Sequence, residues 1–130
     1  MYDIRRHVLP VLLALSCGAF ARPAHAWVET SIQSAMATVD LAPDGTAVVR
    51  HELLVSVKGG PMKGLSLDGI DPDADPLPDA QVVSVAEGRQ GAPLPLLLHR
   101  SDTGTLSVEI DSEQGVRRGS FLFGFSYRTD

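Results

Sequence analysis

Five aspartates, Asp68, Asp71, Asp73, Asp75 and Asp79, fall within twelve consecutive positions of a 130-residue chain, with no Lys or Arg between them. Three of them alternate in the string Asp71-Pro72-Asp73-Ala74-Asp75, which is how several calcium loops begin. An EF-hand-type loop needs oxygen ligands at positions 1, 3, 5, 7, 9 and 12 and a glycine at position 6. With Asp71 at position 1, Asp73, Asp75 and Asp79 fall at 3, 5 and 9. Pro76 then occupies the glycine position, and Val82 stands where a bidentate carboxylate is required. The pattern fails at its two demanding positions. The segment is therefore expected to be a solvated Pro/Asp loop that discourages edge pairing.

The remaining chemical candidates are sparse. "KGGPMKG", residues 58–64, offers two lysines among glycines, but it lacks the spacing of a phosphate-binding loop. His51 and His99 sit in expected strands, outside any metal-spaced cluster and any recognisable nucleophile motif. No catalytic, cofactor-binding or metal-ligating residue is assigned, no cofactor is expected, and the chain is read as a non-enzyme.

Charge and cysteine usage narrow the setting. Arg5 and Arg6 precede an apolar run from Val8 to Ala21, and Ala24 and Ala26 form a small-x-small site before Trp27. That order of basic, apolar and small residues is a secretory signal peptide over residues 1–26, with cleavage between Ala26 and Trp27. Fourteen residues are too few for a membrane span, which needs about 20. A lipoprotein site at Cys17 is disfavoured by Ala14, where such a motif prefers Leu.

The expected product, residues 27–130, is a single domain with eight Lys or Arg against fifteen Asp or Glu, a net charge of −7. So acidic a surface excludes a basic nucleic-acid footprint and electrostatic docking on anionic lipid. Direct membrane insertion of this part is not expected. Cys17, the only cysteine, leaves with the leader, so stability must come from packing without disulfides. The product is expected in the periplasm, the cell envelope or outside the cell.

The elements that must position any site read as strands. Thr30–Leu41 is β-compatible, and Pro43-Asp44-Gly45 is a turn signal. Thr46–Val57 alternates, with Val49, His51, Leu53, Val55 and Val57 on one face. A hairpin follows from that order. A short strand is expected within Met62–Leu67, then strands over Gln81–Glu87 and Leu94–Arg100. Thr105–Asp111 places Leu106, Val108 and Ile110 on one face, and Ser120–Arg128 does the same with Phe121, Phe123, Phe125 and Tyr127. Those aromatics are the expected heart of the core. About seven strands at regular spacing predict an all-β, two-sheet antiparallel sandwich of immunoglobulin-like type, or else a small β-barrel.

Two long stretches, "MATVDLAPDGTAVVRHELLVSVKGGPMKGLSL" and "VEIDSEQGVRRGSFLFGFSYRTD", carry a resemblance. In them the chain resembles the exported N-terminal β-sandwich domain of a bacterial predicted-membrane-protein family of unknown function, over most of residues 31–130. The resemblance implies membrane helices after such a domain and no catalytic residues. The chain departs from the pattern in lacking an Arg-x-Ile-Pro-like segment after the glycine break, and it ends before any membrane helix. Two functions are expected. One is a non-catalytic module that binds an unidentified protein partner through loops or a sheet edge. The other is a structural ectodomain fragment of a larger membrane-anchored envelope protein.

Overall fold

A computed structural model describes residues 27–130; the signal peptide expected over residues 1–26, with Cys17, lies outside the described residues. Nine strands follow in order: β1 (Val28–Leu41), β2 (Ala47–Gly59), β3 (Gly64–Leu67), β4 (Asp75–Pro76), β5 (Gln81–Ala86), β6 (Arg89–Gln90), β7 (Leu94–Arg100), β8 (Leu106–Ile110) and β9 (Gly119–Thr129). No helix occurs among the described residues, so none there is long and apolar enough to cross a membrane. β4 and β6, two residues each, are the additions to the seven strands expected from sequence.

The strands join in one antiparallel path, β1-β2-β9-β5-β7-β8-β3, with β4 beside β9 and β6 beside β5. The sheet curls into an open half-barrel. The strands form one open path and not the two separate sheets of a sandwich, and among the described residues β1 and β3 are its free edges, so the barrel is not closed. The link between β5 and β7 is the narrow point, with only Gln81 opposite Pro95 and Val82 opposite Leu94.

The first hairpin forms where the turn chemistry says it should. The Asp44 carboxylate accepts the Thr46 N–H at 3.0 Å and the Thr46 hydroxyl at 2.7 Å. Gly45 takes φ +93°, a conformation open to glycine and strained for other residues. β2 then pairs with β9 from Ala47 opposite Thr129 to Val57 opposite Gly119. The last strand in sequence thereby becomes a central strand in space, flanked by β2 on one side and by β4 and β5 on the other.

The core is the inner face of that curl. Leu53, Val55 and Val57 of β2 pack with Phe121, Phe123, Phe125 and Tyr127 of β9 and with Leu106, Val108 and Ile110 of β8. These are the alternating rows expected from sequence, because opposite residues on paired strands share a face. Met62 and Val116 close one end through a reciprocal pair of backbone hydrogen bonds, 2.7 and 2.9 Å, between the β2–β3 and β8–β9 loops.

Candidate functional site

The acidic segment is fastened to the rest of the domain along most of its length. The Asp68 carboxylate accepts the Thr105 hydroxyl at 2.8 Å, and the Ile70 N–H donates to the Gly104 carbonyl at 2.9 Å. Asp71 accepts the Thr129 hydroxyl at 2.6 Å on one oxygen and the Asp73 N–H at 3.0 Å on the other. Arg100 donates to the Pro72 carbonyl. Asp75 and Pro76 pair with Arg128 and Tyr127, and the Leu77 N–H donates to the Ser126 carbonyl at 2.9 Å. Ala74 and Ala80 are buried in the core.

The segment is thus a fitted strap over the end of β9 whose five aspartates are all exposed to solvent. Pro76 fits in β4 because a two-residue edge strand makes few demands on the backbone donor that proline lacks. Among the described residues, no group of three His, Cys, Asp or Glu is placed to hold a metal ion.

The Thr129 hydroxyl, the Asp73 amide and the more distant Arg100 hold the Asp71 carboxyl below the ordinary aspartate range. A folded pKa below the unfolded value, about 3.9, stabilises the fold above that value; the contribution is lost as pH falls through the lowered folded pKa. In Thr129→Val the largest cause is removed. The Asp71 pKa is expected to rise toward its ordinary value in a carboxyl-carbon NMR titration, and acid unfolding to begin at a higher pH. An unchanged Asp71 titration would count against the hydroxyl as the cause.

The two histidines lie apart. His51 is on the core side of β2, with its ring stacked near Phe125 and Tyr127 at centroid distances of 5.3 and 5.5 Å. Its Nε2 lies 3.2 Å from the Tyr127 hydroxyl. Burial depresses the His51 pKa and raises that of Tyr127, so both rings are held neutral at pH 7. His99 is exposed on β7 opposite Ser107, on the face away from Leu96 and Leu98. In the glycine-rich segment, Lys63 donates to the Glu113 carbonyl at 2.8 Å and so ties one loop to another.

A cleft of ≈ 230 Å³ opens on the outer face of the sheet, over Gly124. Arg50, Glu52, Asp79, Gln81 and Gln90 are among its lining residues. Arg50 and Glu52 approach to 3.5 Å as an exposed ion pair, an arrangement worth little in water.

The most unusual surface is β1, which sequence reasoning read only as half of a hairpin. All fourteen of its residues are exposed. Val28, Thr30, Ile32, Ala35, Ala37, Val39 and Leu41 lie opposite Gly59, Val57, Val55, Leu53, His51, Val49 and Ala47 of β2. They therefore continue the core-facing row beyond the core, where nothing among the described residues covers it. Ile32 is 64% and Leu41 74% exposed, and Trp27, just before the strand, is 63% exposed. The row escapes a period-2 reading because Gln33 is an extra residue at a β-bulge, which moves the inward positions from even to odd numbers.

Comparison with protein-family models, curated proteins and solved structures returns no match for this chain.

Proposed function

We propose that the chain is an exported, non-catalytic interaction module of the cell envelope or exterior, and that it engages a protein partner through β1. The single observation that carries this reading is the exposed row from Val28 to Leu41 on the core-facing side of a strand whose outer edge is unpaired among the described residues. A free edge presents unpaired N–H and C=O groups as a template for another strand. Natural edges are commonly protected by lysine, proline, short length or a β-bulge, and of these β1 has only the bulge at Gln33. β3, the other free edge, is four residues long and follows Lys63. β1 is fourteen residues long and contains no Lys, Arg or Pro.

The leader-like residues 1–26 and the acidic charge support export and oppose nucleic-acid binding. The β8 row facing the β9 aromatics across one core supports an immunoglobulin-like, two-layer relationship within the same reading. The resemblance to exported domains of a predicted-membrane-protein family agrees with it. A photo-crosslinking residue at Val39, in the full chain expressed in cells that export it, is expected to give a discrete protein adduct. The same residue at exposed Asp102 is expected to give none. Background alone at both positions would overturn the proposal.

The uncovered strand also supports a second reading, in which the domain is one part of a larger membrane-anchored envelope protein and another part of that protein covers β1. Detection of the cellular product at the mass of residues 27–130 alone would count against it.

A further inference from the structure

Resting on the interaction reading above, we infer that the partner of β1 is a second copy of this chain, joined by antiparallel β1–β1 pairing about a two-fold axis between Gln33 and Ser34. A two-fold contact must be self-complementary, with each residue meeting its counterpart reciprocally. β1 meets that condition through its bulge.

Without a bulge, inward positions keep one parity along a strand. In β1 the inward residues are Val28, Thr30 and Ile32 before Gln33, and Ala35, Ala37, Val39 and Leu41 after Ser34. With the axis between Gln33 and Ser34, Val28 meets Val39 of the copy, Thr30 meets Ala37, and Ile32 meets Ala35. All of these are inner residues against inner residues. Glu29 meets Thr38 and Ser31 meets Met36, outer against outer. Large side chains face small or β-branched ones across the pair, which suits cross-strand packing.

Neighbouring registers are worse. Moving the copy so that Glu29 faces Asp40 sets two carboxylates opposite each other and Ser34, an outer residue, against Ala35, an inner one. Moving it the other way drops Thr38 and Val39 from the ladder. One register thus satisfies face and size along Val28–Val39, and it sets Glu29 diagonal to Asp40 of the copy and not directly opposite it.

Charge favours a like partner over a different one. The chain carries 16 Asp or Glu against 11 Lys or Arg, yet Thr30 to Val39 holds no charge at all. A basic partner would be served by acidic residues along the contact, since complementary charge steers association. An acidic copy requires the opposite, an uncharged seam with Glu29 and Asp40 kept at its ends. The area is also sufficient. A twelve-residue antiparallel ladder with adjoining side-chain rows buries roughly 600 Å² per copy, which clears the lower bound for a specific interface. It would join two curled half-barrels into one continuous sheet.

The test uses the full chain expressed with its own leader and purified as the exported product. Sedimentation velocity across a micromolar range is expected to show a dimer, and Ile32→Lys a monomer. The melting temperature of that variant should stay within a few degrees of the parent, because Ile32 is largely exposed in the single chain. Leu97→Lys, at an exposed apolar residue on β7, is the control and should leave the dimer intact. Hydrogen exchange is expected to show slow alternate amides on the β1 edge facing away from β2.

A parent chain that stays monomeric, a dimer whose outer β1 amides exchange freely, or an Ile32→Lys variant that still dimerises each overturns the second copy as partner. None of these results bears on whether Val39 crosslinks to a different protein, so failure here is separable from failure of the interaction reading.

Discussion

Phe123→Ala lowers the free energy of unfolding by about 3–5 kcal/mol, the range for removing a buried aromatic ring from a packed core. Phe123 is 0% exposed and sits at the middle of β9, between Leu53 of β2 and Val82 of β5. Both neighbours are themselves buried, so the walls around the lost ring belong to strands held in register on each side. Such walls relax little, and a residual cavity adds to the lost transfer energy. A domain of this size has about 5–15 kcal/mol in total, so the loss is a large share of it. Urea denaturation followed by tryptophan fluorescence or circular dichroism reads the change as a shift in midpoint at constant slope. Leu97→Ala, at an exposed position of β7, is the reference and should cost less than about 0.5 kcal/mol. Equal effects at the two positions would contradict the placement of the core.

Gly115→Ala is expected to cost about 2–4 kcal/mol for two separable reasons. The residue has φ +63°, where an alanine bears roughly 1–2 kcal/mol of backbone strain. A Cβ there would also press on the Met62 carbonyl oxygen and come within 3.2 Å of the carbon that bears it. That oxygen accepts the Val116 N–H at 2.9 Å, while the Met62 N–H donates to Val116 at 2.7 Å. Displacing the Met62 carbonyl therefore weakens both bonds that join the β2–β3 loop to the β8–β9 loop, each worth about 1 kcal/mol net. Gly45→Ala separates the two causes. It has φ +93° but nothing within 4 Å of an added Cβ, so it should show strain alone. If Gly45→Ala and Gly115→Ala destabilise equally in urea, the Met62 bridge contributes nothing measurable.

Much of the strand pattern was legible, and the reason is local. β2, β8 and β9 keep strict period-2 alternation, so Leu53, Val55, Leu106, Val108, Phe123 and Phe125 fall on the buried side wherever the strands pair. The Asp44-Gly45-Thr46 turn is equally local, since its hydrogen bonds span two residues. The acidic segment was legible only as irregular backbone. Its ligand count ruled against an EF-hand loop, but the partners that occupy Asp68 and Asp71 lie 37 and 58 residues away.

The amino-acid sequence by itself determined the all-β character, the inward rows of the regular strands and the acidic, disulfide-free nature of residues 27–130, because each follows from composition or from contacts between near neighbours. Only the tertiary structure decided that the strands lie on one curled path, that the last strand becomes a central one, and that the acidic segment is a strap on β9. It alone also decided that β1 carries its apolar row uncovered, among the described residues, at the edge of the sheet. Each of these is a matter of which distant backbone supplies the hydrogen-bond partner. Register is a property of a pair of strands, and a bulge such as the one at Gln33 is defined only by the strand opposite.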